Sequence, residues 1–160
     1  MTRGSTLFLK IAVVLIGLPI LALCIFVVPR IGIYAAGLYP ESAYIKYLVL
    51  IIMYAAAIPY YFALYQALKL LSYIDKNIAF SQVSVSALKK IKYCAGTISI
   101  LYVAGMPLFY LLAEKDDAPG IIALGLIIIF GSLIIAVFAA VLQRLLQEAI
   151  HIKTENDLTV

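Results

Sequence analysis

The chain has 160 residues, 66% of them hydrophobic and only 12% charged, with a mean hydropathy of +1.11. Soluble proteins run at about 45–50% apolar and about 25% charged residues, so a water-soluble fold is excluded, and 160 residues leave room for one domain, 1–160. The net charge of +4 comes from lysines and arginines beside apolar runs, which points to lipid headgroups and away from direct nucleic-acid contact.

The first uncharged run, IAVVLIGLPILALCIFVVP between Lys10 and Arg30, is close to the about 20 residues that cross a bilayer as a helix. It predicts a transmembrane helix over about 7–28. A cleaved signal peptide is the weaker reading, because the run exceeds the usual apolar core of about 7–15 residues and no small-x-small cleavage site precedes Pro29. The stretch PRIGIYAAGLYPESA that follows has Gly, Pro and two tyrosines, and predicts a compact turn structure on the outer leaflet.

YLVLIIMYAAAIPYYFALYQAL, between Lys46 and Lys69, predicts a second span over about 47–70. After it, Asp75, Lys76 and Asn77 are turn formers and Ser81 is a candidate N-cap. Val83, Ala87 and Ile91 then recur at steps of four. This predicts a short interfacial helix between helices two and three, with Lys89, Lys90 and Lys92 snorkelling to headgroups, or alternatively a longer third helix with a basic stop region.

YCAGTISILYVAGMPLFYLLA gives the third span, about 93–113, and the short EKDDAPG forces an antiparallel hairpin into the fourth, about 120–143. Leu142, Leu145, Leu146, Ala149, Ile150 and Ile152 keep helical spacing, so this helix should run on to about Lys153 within a tail of 144–160. Beyond it TENDLTV reads as short, polar and exposed. All four runs are continuously apolar rather than alternating, so the fold class is an all-α membrane protein and not a β-barrel.

Counting basic residues near span ends sets the orientation. With the N-terminus inside, Arg3, Lys10, Lys69, Lys76, Lys89, Lys90, Lys92, Arg144 and Lys153 face the cytoplasm, against Arg30, Lys46 and Lys115 outside. Both termini are therefore expected in the cytoplasm. Pro19, Pro59 and Pro107 predict kinks, and Ser132, Ala136 and Ala140, with Ala63 and Ala67, predict packing seams.

The uncharged runs contain no Asp, Glu, Lys, Arg or His, the groups that mark proton relays and ion-coupled sites inside membranes. No nucleophile with its base, phosphate-cradling loop or carboxylate pair is visible, so the expectation is a non-enzymatic protein without cofactor or metal. Cys24 and Cys94 lack metal or redox spacing and read as apolar packing residues. His151 has only Glu148 as a conceivable co-ligand and reads as a surface residue. Tyr54, Tyr61 and Tyr65 share one face of the second span and are candidates to line a cavity, although packing is their default role.

The four short spans, the loop IAFSQVSVSALKKIKYCA and the closing LLQEAIHIKTENDLTV resemble the YoaS-like bacterial membrane proteins, the family of domain of unknown function 2975. The most specific parts are Phe80 with the basic helix after it, and Glu155, Asn156, Asp157, Leu158, Thr159 and Val160. The resemblance implies a multi-pass protein of the bacterial cytoplasmic membrane, of a family often encoded beside a small helix-turn-helix regulator. It brings no activity.

The expected function is a sensor or anchor whose tail, Glu155 to Val160, holds a cytoplasmic partner such as that regulator. A small-molecule transporter or pore subunit working as a homo-oligomer is the alternative; the prolines and the tyrosine face support it and the missing intramembrane charge opposes it.

Overall fold

The structure is a computed structural model that describes residues 3–41, 43–115, 117 and 119–158. Its described residues form α1 (Arg3–Ala22), a π-helical turn (Leu23–Val27), α2 (Val28–Leu38), α3 (Ala43–Asp75), α4 (Gln82–Lys115) and α5 (Gly120–Leu158). Four helical runs are long and apolar enough to cross a membrane: Gly4–Leu38, Tyr44–Asp75, Gln82–Lys115 and Gly120–Leu158. At 1.5 Å per residue each is about 50 Å or longer, while a hydrocarbon core is about 30 Å thick. Every run therefore carries helix beyond its apolar stretch.

The largest departure from expectation is α2, where PRIGIYAAGL forms helix instead of a compact turn. Pro29 falls in the first turn of α2, where its missing N–H removes little. Val28, Gly32 and Ala35 are buried at steps of four and three, the spacing of one helical face. Tyr39 then leaves helical geometry (φ −127°, ψ 68°), as the residue before Pro40 is driven to do. Ala35 joins Ile45, Val49, Phe109 and Leu112 in the main buried cluster, so the supposed loop supplies part of the core.

From Ser81 the chain follows the alternative of a longer third helix and not that of a separate interfacial one. Gln82–Lys115 is one continuous helix, and its first turns bury Ser84, Val85, Ala87 and Leu88 while Val83 stays exposed. Of the apolar row at steps of four, Ala87 is buried, Ile91 is half-buried and only Val83 points away. Ser81 precedes the first helical residue and its carbonyl accepts the N–H groups of Ser84 and Val85, but its hydroxyl donates back to the Ile78 carbonyl. Upstream, α3 closes on Asn77 at φ 61°, with Ile78 N–H bonded to Tyr73 O and Asn77 N–H to Ile74 O. That is a Schellman ending, and asparagine tolerates the left-handed geometry it needs.

The helices pack in chain order. α1 and α2 lie on α3, α3 on α4, and α4 on α5, with a small contact between α2 and α4. Among the described residues α1 and α5 have no comparable contact, so the spans form an open row rather than a closed bundle. Close approach along the row uses glycine: a Cβ at Gly105 would meet Ile52 of α3 at 3.0 Å, and one at Gly125 would meet the Met106 sulfur at 2.8 Å. Ser99 reinforces the α4–α5 seam by donating to the Ile129 carbonyl at 3.2 Å. The predicted small-residue seams are only half-buried, and each helix continues through its proline.

Candidate functional site

The row gathers basic residues at one end. Lys10 Nζ of α1 bonds Asp75 Oδ2 at the end of α3 at 2.9 Å, which places the N-terminal half of α1 beside the end of the second span. α4 begins at the same end, and Gln82 faces Gln147, Glu148 and His151 of α5 across a groove of about 600 Å³. Lys69, Lys76, Lys89, Lys90, Lys92, Arg144 and Lys153 therefore belong to the end marked by Lys10. Lys115 stands at the other end, over the ring of Tyr39 at 5.5 Å, whose hydroxyl donates to Leu111 O at 2.9 Å.

α5 passes this end. Gly120–Gln143 is uncharged and spans about 36 Å, enough for the hydrocarbon core, while Arg144–Leu158 adds about 22 Å of helix. The expected tail is thus helical through Leu158 instead of ending near Lys153. His151 to Leu158 are all exposed, and Leu158 retains 82% of its accessible surface. His151 Nε2 lies 3.1 Å from Glu155 Oε1, one turn on, so its partner is Glu155 and not Glu148. Thr154 donates to Ile150 O at 2.9 Å. Of the candidate partner residues, Glu155, Asn156, Asp157 and Leu158 lie on this helix, and Thr159 and Val160 lie outside the described residues.

Lys89 and Lys90 are exposed and Lys92 is half-buried. Lys92 Nζ and Lys89 Nζ sit 4.7 Å and 6.0 Å from the Tyr93 ring, and Lys69 Nζ sits 4.9 Å from the Tyr65 ring. Cations over tyrosine faces at the edge of an apolar run are the arrangement that suits a headgroup layer.

The second-span tyrosines divide between two tasks. Tyr54 Oη donates to Cys24 O at 2.8 Å, Tyr61 Oη to Gly17 O at 2.8 Å and Tyr60 Oη to Ile16 O at 3.0 Å. Sequence reasoning did not single out Tyr60, because periodicity names a face but not the carbonyl opposite. The Cys24 bond has a local cause: Val28 N–H bonds Leu23 O in the π turn, the same register would pair residue 29 with Cys24 O, and Pro29 has no N–H. Tyr54 supplies the missing donor. Tyr61 and Tyr65 also border an open, almost entirely apolar groove of about 260 Å³ between α1 and α3, which Tyr54 does not reach.

Among the described residues, no three His, Cys, Asp or Glu side chains come together as a metal-holding group. Cys94 is buried and Cys24 half-buried, both as free thiols.

Residues 30–160 match the model of a family described as a protein of unknown function (DUF2975). The full chain is 73% identical, over 160 residues and all of both sequences, to a Bacillus subtilis (strain 168) protein called uncharacterized membrane protein YoaS. No solved structure matches the chain. With a family match over most of its length, a full-length relative and four helices fit to span a bilayer, the chain belongs to the DUF2975 family of membrane proteins.

Proposed function

We propose that the chain is a non-enzymatic anchor or sensor of the bacterial cytoplasmic membrane, with both termini in the cytoplasm, that presents the end of α5 to a cytoplasmic partner. The observation that carries this reading is the course of α5: one unbroken helix leaves its uncharged stretch at Gln143 and extends, exposed, beyond the start of α4 to Leu158. An exposed helix at a defined place is a docking element with less ordering cost than a frayed peptide. Orientation rests on the lysine asymmetry between the two ends of the row. The committed tyrosine hydroxyls also weigh against a polar pathway along α3, and so against an oligomeric transporter or pore.

A small helix-turn-helix regulator remains the partner class suggested by the family resemblance. The test expresses the full chain and a version lacking residues 154–160 in bacterial cells, crosslinks them, and identifies retained proteins by mass spectrometry. Retention of a cytosolic regulator by the full chain alone is the expected result. The same proteins on both, or none on either, would end the docking role of the tail.

A further inference from the structure

We infer that the groove between α1 and α3 is a site for one anionic glycerophospholipid, its acyl chain lying against α1 and α3 and its phosphate at Lys69. Val13, Gly17 and Leu21 line the α1 side over two turns, about 12 Å, and Tyr61, Leu64 and Leu68 line the other. The lining is carbon almost throughout, and it opens sideways from stretches that lie in the apolar part of two candidate spans. The medium there is hydrocarbon, so an acyl chain fits the groove and a water-soluble ligand does not.

Charge commits the headgroup. Tyr65 is a wall of the groove, Lys69 follows it by one turn, and the Lys69 ammonium lies 4.9 Å from the Tyr65 ring. Among the described residues no carboxylate lies within ion-pair distance of Lys69, whereas Lys10, one turn before Val13 and Val14, is bonded to Asp75. The groove therefore ends at one cation engaged by an acid and one engaged by an aromatic face, which can take a phosphate while keeping that face. A zwitterionic lipid would bring its own ammonium to the same place and gain less. The inference is independent of what α5 binds.

The chain has no tryptophan, which gives a clean reporter. Leu18→Trp places one on the exposed rim of the groove, Leu21→Trp serves as a second groove reporter, and Ile134→Trp puts a control on the exposed face of α5. Each full-length variant is reconstituted in phosphatidylcholine vesicles holding a minor share of brominated phosphatidylglycerol or brominated phosphatidylcholine, and quenching is compared. One lysine near a membrane surface corresponds to about a fivefold preference for the anionic lipid. That preference is expected at positions 18 and 21, not at 134, and is expected to vanish when Lys69→Gln is added. Equal quenching by the two lipids at both groove positions, the same preference at 134, or persistence in Lys69→Gln would overturn the site. Loss of the preference on adding soluble glycerol phosphate would overturn it too, since the phosphate alone would then suffice.

Discussion

Tyr54 and Lys10 show how single side chains here answer to specific backbone and charge problems. The Cys24 carbonyl has lost its π-register donor to Pro29 and receives Tyr54 instead. Interhelical hydrogen bonds in membranes average about 0.6 kcal/mol because the separated helix finds other partners, but this acceptor has lost its local alternative. Tyr54→Phe should therefore cost about 1 kcal/mol, above that average. In a Pro29→Ala background, where an N–H returns, the same change should cost measurably less in a double-mutant cycle of detergent unfolding. Asp75 lies at the end of α3, where the helix dipole disfavours a carboxylate, and the Lys10 ammonium offsets it. Lys10→Met should destabilise by about 1 kcal/mol, and adding Asp75→Asn should recover most of that loss. Equal thermal stability of Lys10→Met and the native chain would remove the pair from the account.

At the scale of elements, the α4–α5 hairpin depends on one close approach. Gly125 leaves room for the Met106 sulfur, and a methionine end can move by a few tenths of an ångström. Gly125→Ala should be tolerated, while Gly125→Leu should push the helices apart and cost about 2 kcal/mol, much of it restored by Met106→Ala. Unfolding of the three variants in detergent checks the order. All four spans were legible in the sequence because uncharged runs near 20 residues admit little but helix in a bilayer. α2 was less so: Pro29, Gly32 and Gly37 read as loop formers, although Val28, Gly32 and Ala35 already had helical spacing. Small-residue counting preferred Ser132, Ala136 and Ala140, while the close approaches between helices fall at Gly17, Gly32, Gly105 and Gly125. Spacing finds a face, and only the neighbour decides which residue on it must be small. Glu155, Asn156, Asp157, Lys89 and Lys90 are exposed as their polarity suggests, but the continuation of the helix past Lys153 was not legible, since Thr154 to Leu158 carry no apolar period.

For the whole molecule, the open row carries the strongest consequence. A four-helix chain with short loops commonly closes its first helix against its last, yet here α1 rests on α3 and α5 on α4. In lipid this is affordable, because apolar faces left open meet hydrocarbon and not water. Paired cysteines test it in a chain whose native Cys24 and Cys94 are replaced by alanine and serine respectively. A pair at Ser99 and Ile129, whose side chain and backbone are in hydrogen-bond contact, should be bridged by a short crosslinker within one chain. A pair at Leu15 and Phe138, exposed on α1 and α5, should give no crosslink within one chain. If that second pair closes efficiently in the monomer band, the row folds back on itself in the membrane and the groove between α1 and α3 is no longer open to lipid. If it closes only between chains, the exposed faces of α1 and α5 meet in neighbouring copies and the row is one part of a larger ring.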